Sequence, residues 1–222
     1  MSGREGRRRE RMISTPSWLL IVVLLVGALV FGAQVHAEAP QIWQRSYALE
    51  ARGEHAAALA ALNELPAEAR TGYLFLVRRA WLLYLTGRNQ EAVGAYRQAI
   101  EAAPKAVEPR AGILAPLIAL HRFQDAEAEA RAALRLDKDN HAVSRSLAWA
   151  LYSLGRFDEA ERVYRRVLAL HPSDLTMQVG VGWCLLRRGR RGQAEAEFRE
   201  VLRFAPEDAV ARAGLAAATA PR

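Results

Sequence analysis

Cysteine is almost absent from this sequence, with Cys184 standing alone. A single thiol closes no internal disulfide and cannot supply a cysteine-based zinc site. Its position inside a helical apolar pattern places it in the core, where free cysteine behaves as a small hydrophobe. Lysine is nearly missing as well: only Lys105 and Lys138 stand among 31 basic residues. The five histidines, His36, His55, His121, His141 and His171, show no metal-ligand spacing. No HExxH, GxSxG or glycine-rich phosphate loop occurs. Acid pairs such as Glu127 with Glu129 and Glu195 with Glu197 sit beside arginines and read as solvated helix faces rather than as a general acid and base. The chain is therefore expected to be no enzyme and to need neither cofactor nor metal.

A strong excess of one charge is also lacking beyond the N-terminus. The net charge is +7, but Arg4, Arg7, Arg8, Arg9 and Arg11 precede a hydrophobic run against only Glu5 and Glu10. From Glu38 onward 26 basic residues face 22 acidic ones, a net of +4, too mild and too interspersed for nucleic acid. The one dense cluster there, Arg187–Arg191 (RRGRR), reads as a solvated turn, with an anionic surface or acidic partner as the functional alternative.

The N-terminal 37 residues follow the order of an export signal: an arginine-rich stretch, the apolar run Trp18–Gly32, and AQVHA at Ala33–Ala37. Val35 and Ala37 fill the two small-residue positions of a cleavage site after Ala37. The alternative is a retained membrane anchor, since residues 18–35 would span about 27 Å as a helix, close to a bilayer core. Either way, residues from about 38 to 222 are expected outside the cytoplasm, periplasmic or secreted, or anchored at the inner membrane and facing the periplasm.

What the sequence has in abundance is a 34-residue beat. Alanine recurs at Ala58, Ala92, Ala126, Ala160 and Ala194, and leucine at Leu49, Leu83, Leu117, Leu151 and Leu185. Between the columns a turn is marked by Gly53, Gly87, Gly155 and Gly189, with His121 as the exception, and Pro104, Pro172 and Pro206 close units. Five units follow without a gap: 39–72, 73–106, 107–140, 141–174 and 175–208. Apolar residues at spacings of three and four make each unit two amphipathic helices joined by a turn. Such a pair cannot bury its apolar face alone, but stacked pairs can, which predicts an all-α solenoid. Residues 209–219 begin another first helix that would cap the last open core edge.

On these residues the sequence resembles the tetratricopeptide repeat (TPR) family across 39–208. The resemblance rests on the period, a small residue in the first helix (Ala80, Ala148, Gly182), the alanine of the second helix, the aromatic four residues later (Tyr96, Tyr164, Phe198) and the closing proline. It implies a right-handed superhelix with first helices lining a concave face. Departures are the missing tryptophan at the fourth position, Arg45 and Arg79 where a core leucine is usual, and Arg70 and Lys138 in place of the closing proline.

The resemblance also implies which repeat positions meet a ligand. The ninth holds Tyr47, Trp81, Ala115, Trp149 and Trp183, the twelfth includes Tyr84 and Tyr152, and Trp43 occupies the fifth of the first unit. Arg78, Arg145 and Arg187 fall at neighbouring groove positions. Ninth and twelfth side chains share a helix face, so an aromatic ladder with adjacent cations is expected, unless the rings pack between helices instead. In the third unit Ala111, Gly112, Ala115 and Ala119 leave the floor shallow, and Pro116 should kink the helix. Together they predict a pocket flanked by Trp81 and Trp149, or merely a degenerate repeat. The expected function is an exported scaffold binding another envelope protein through this groove, with an anionic polysaccharide as the alternative ligand.

Overall fold

The computed structural model describes residues 39–221, and every regular element among them is helical. The predicted export segment lies outside the described residues. Helix α1 covers 39–51. It is followed by α2 (His55–Leu62), a 3-10 turn (Ala67–Thr71), α3 (Tyr73–Leu85) and α4 (Asn89–Ala102). The middle of the chain contains α5 (Glu108–Gly112), α6 (Leu114–Ala119), α7 (Phe123–Leu136), α8 (His141–Ser153) and α9 (Phe157–Leu170). Helices α10 (Leu175–Arg187), α11 (Arg191–Phe204) and α12 (Ala209–Thr219) complete it. Consecutive helices pack on each other, α3 on α4, α8 on α9, α9 on α10 and α11 on α12, which makes the molecule a solenoid with one continuous core.

The two columns of the repeat meet inside that core. Leu83, Leu117, Leu151 and Leu185 are buried, as are all five alanines from Ala58 to Ala194, while Leu49 at the solenoid's start is only half-buried. Alanine is required because the second helix crosses the first at that point and a longer side chain would push the backbones apart. Cys184 is fully buried, and burial pushes its thiol up to about 12.

Each turn between paired helices is closed by a residue in the left-handed region. Gly87 at φ 76° lets the Arg88 N–H donate to the Leu83 carbonyl at 2.9 Å. His121 makes the same closure at φ 55°, with Arg122 N–H on Leu117 O at 2.9 Å, so a side chain is held where glycine is favoured. At the other end of the units, Asn140, Asp174 and Asp208 cap the next first helix by accepting from the backbone N–H of Val143, Met177 and Ala211.

Two units depart from the pattern. In the first, α2 stops at Leu62, because Pro66 lacks the N–H that would continue the ladder, and the chain passes through the 3-10 turn instead. In the third, the expected kink is a break: the first helix divides into α5 and α6 at Ile113, three residues before Pro116. Pro116 offers no N–H to the Gly112 carbonyl, and its ring crowds that turn.

A further column governs how one unit seats on the next. A Cβ added at Gly112 would lie 2.5 Å from the Tyr96 ring, and one at Gly180 would lie 2.6 Å from the Tyr164 ring. A Cβ at Gly214 would overlap the Phe198 ring in the same way. Each aromatic stands mid-way along a unit's second helix and lies against a bare glycine backbone sixteen residues later. Where that aromatic position carries Leu62 or Ala130 instead, the matching glycine position carries Arg78 or Ser146. The pairing is steric, so Gly180→Ala is expected to cost about 2 kcal/mol. Ser146→Gly, facing Ala130, should change little beyond helix propensity. Thermal unfolding of the two variants checks the contrast.

Candidate functional site

Trp149 lies on α8 one turn before Tyr152, and their rings stack at 5.8 Å between centroids and 16° between planes. Trp149 is 48% exposed, whereas Tyr152 is half-buried. On α10, Trp183 meets the Phe198 ring edge-on at 5.7 Å and is half-buried, its indole Nε1 enclosed without a hydrogen-bond partner. Gly180 of α10 lies against the buried Tyr164 ring, and both contribute to the wall. The small residues Ala115 and Ala119 of α6 form the opposite side, and Val210 of α12 and Tyr84 of α3 close the ends.

The result is a cavity of about 670 Å³ on the face built by the first helices. That volume lies within the range of ligand sites, and the wall is predominantly carbon. Arg145 is the only charged residue lining it. The cavity takes in Ala115 and Ala119 of the third unit but is flanked by Trp149 and Trp183, not by the expected Trp81 and Trp149. Trp81 lies instead in a second hollow.

The second hollow, about 310 Å³, is lined by Tyr47, Leu74, Val77, Arg78, Trp81, Tyr96, Glu108 and Gly112. Its charged groups pair with one another, although the buried Arg78 Nε has no hydrogen-bond partner. Arg78 is buried, stacks on the Tyr47 ring at 3.7 Å, pairs with Glu50 and donates to Ser46 Oγ at 3.2 Å. Trp81 Nε1 donates to the other Glu50 oxygen at 2.6 Å. Burial alone would raise the Glu50 carboxyl, but the bonds from Trp81 and Arg78 and the Arg78 charge hold it below its ordinary value. Arg78 is therefore a cation beside an aromatic ring that also acts as an internal strut, its charge met by Glu50. Trp43 is half-buried against the core beside Tyr47 and lines neither hollow.

The remaining arginines divide by role. Arg145 is exposed, and Arg187 reaches over the Phe157 ring at 5.1 Å beside Tyr152. Neither has a carboxylate partner among the described residues. The RRGRR run is not a uniformly solvated turn. Arg188 bridges to Asp158 and Glu161, and Arg191 donates to the carbonyls of Ala217 and Ala218 at 2.9 and 3.0 Å, pinning the end of α12. Sequence reasoning missed Glu50 as the satisfier of Trp81 and Arg78, and Gly180 and Tyr164 as cavity wall. The glycine column was detectable from its fixed distance after each aromatic.

Among the described residues no cluster suits a metal ion, and no helix is long and apolar enough to cross a membrane. The family model described as tetratricopeptide repeat matches residues 43–107, 117–174 and 146–209. No curated protein sequence matches the chain. Among solved structures, MamA from Desulfovibrio magneticus RS-1 is similar at a TM-score of 0.72 and 16% identity, covering 78% of this chain and 97% of its own. A tetratricopeptide repeat protein from Parabacteroides merdae gives 0.73 and 17%, covering 81% and 71%. YrrB, a TPR protein with an unusual peptide-binding site, gives 0.68 and 15%, covering 78% and 89%. At these identities the likeness is one of fold.

In single-tryptophan variants, acrylamide should quench Trp149 more strongly than Trp183, since one indole stands in solvent and the other has its nitrogen enclosed. Glu50 has a lowered pKa in the folded state. Its stabilising contribution is therefore complete above the ordinary glutamate range and is lost as pH falls through the folded value. A Trp81-only variant titrated from neutral to strongly acidic pH should report that loss in its emission.

Proposed function

The chain belongs to the tetratricopeptide repeat family, whose fold generally serves as a non-catalytic scaffold for protein–protein interaction, and on that premise we propose that it holds a segment of another envelope protein in the cavity between α8 and α10. One observation carries the reading. The cavity combines a carbon-lined volume of about 670 Å³ with aromatic rings from Trp149, Tyr152 and Trp183 and an unpaired arginine at its edge. Aromatic and arginine side chains are the residues that dominate binding energy at protein interfaces. The likeness in fold to YrrB, whose description includes a peptide-binding site, supports the same direction.

The N-terminal order of arginines, apolar run and AQVHA supports an exported location, with cleavage after Ala37 or retention as an anchor. In this reading Tyr84 and Arg187 border the partner, while Tyr47, Arg78 and Trp81 mainly hold the first two units together. An anionic polysaccharide stacked on Trp149 and Tyr152 is the competing ligand.

Affinity capture from the native envelope should recover a protein that the Trp149→Ala/Trp183→Ala double variant retains at least about tenfold less well, as for the loss of interface anchors. Trp43→Ala should leave capture intact. Equal retention by the double variant, or a saturable fluorescence response to polysaccharide alone, would reject the proposal. Mass spectrometry of the exported protein should give a mature chain starting at Glu38; an intact N-terminus instead identifies the anchor.

A further inference from the structure

The repeat brings the same positions round every 34 residues, so the two ends of the groove can be compared with each other. At the first junction an indole at the ninth position, Trp81, and a groove arginine, Arg78, both converge on one carboxylate, Glu50. Glu50 comes from α1, and so does Tyr47, three residues earlier on the same helix face, whose ring covers the Arg78 guanidinium at 3.7 Å. Residues 47–50, Tyr-Ala-Leu-Glu, thus supply an aromatic face and a carboxylate together to a neighbouring first helix.

At the second junction the indoles recur and an arginine again stands beside them, one position earlier in the repeat than Arg78, whose own counterparts are Ser146 and Gly180; the carboxylate does not recur. Trp149 and Trp183 hold the ninth position, and Arg145 lines the cavity. The residues that stand where Glu50 does one unit earlier are Ile118 and Tyr152, and no acidic side chain lines the cavity. Arg145 and Arg187 are left without a carboxylate partner among the described residues, although most arginines of the solenoid have one. An anion brought by a ligand would meet in Arg145 an exposed, unpaired cation at the rim of an apolar cavity, where a charge-assisted contact is stronger than in open water.

We infer that the partner segment is a helix carrying an aromatic residue three positions before a glutamate, which places its ring in the cavity and its carboxylate on Arg145. This rests on the reading of the cavity as a protein-binding site and adds the chemistry of what it binds. The carboxylate is assigned to a side chain, not a chain terminus, because the internal precedent presents its own from the middle of a helix.

Two labelled helical peptides with amidated C-termini, one bearing Tyr-x-x-Glu and the other Tyr-x-x-Gln, test this by fluorescence anisotropy with the full-length protein. The Glu peptide should bind about tenfold tighter. The difference should shrink in high salt and disappear in Arg145→Gln, which breaks no ion pair and should leave thermal unfolding unchanged. Equal affinity of the two peptides would overturn the inference. If that equal binding were still lost in the Trp149→Ala/Trp183→Ala variant, the groove reading itself would survive. Failure of both peptides to bind, or binding only by a peptide whose sole carboxylate is its C-terminus, would also overturn it.

Discussion

Everything in this solenoid depends on how closely one helical pair can approach the next, and that distance is set by rings lying on bare glycine backbone. Tyr96 on Gly112, Tyr164 on Gly180 and Phe198 on Gly214 are the same contact made three times. A ring against a backbone without a Cβ gains broad dispersion contact at a separation no other residue permits. Phe198 extends the contact inward, since Gly182 of its own unit also leaves it room. The junctions without an aromatic carry the smaller Leu62 and Ala130, and the positions sixteen residues later hold Arg78 and Ser146 in place of glycine.

This packing rule also shapes the groove. The glycine that admits Tyr164 lines the cavity together with that buried ring, so a core residue becomes part of the cavity wall. At the opposite junction Arg78 fills the equivalent position, and with Glu50, Tyr47 and Trp81 it makes a closed set of contacts. One period therefore produces two environments. In the N-terminal half of the groove the arginine is neutralised by the protein's own carboxylate, and the C-terminal half keeps an open apolar volume beside the unpaired Arg145. The third unit lies between them with its broken first helix and short side chains, and the aromatic ladder is two sites rather than a continuous surface. Arg191, holding the last carbonyls of α12, fixes the helix that carries Val210 and completes the cavity's far wall.

How much of this was legible in advance depends on the range over which each feature is determined. The alanine and leucine columns, the glycine turns and the helix periodicity act within about one unit, and their positions in the chain are enough to identify paired helices stacked into a solenoid. The burial of Cys184 and the disturbance near Pro116 follow from equally local chemistry. Trp149 lines the cavity while Arg78 and Trp43 are engaged by the protein's own groups, a difference the sequence does not show, since position in the repeat says which face a side chain leaves from and nothing about what waits opposite. Arg78 is buried because Glu50, 28 residues away, lies there to neutralise it.

The sequence by itself thus determined the architecture: a 34-residue pattern of small, apolar and turn residues admits only stacked helical pairs, because burying their faces requires each other. Only the tertiary structure decided which members of the aromatic and arginine columns are consumed in holding the solenoid together and which remain available. That division depends on side chains from adjacent units meeting across a gap of a few ångströms, where a glutamate, a glycine or an alanine on the facing helix changes the outcome while the period remains the same.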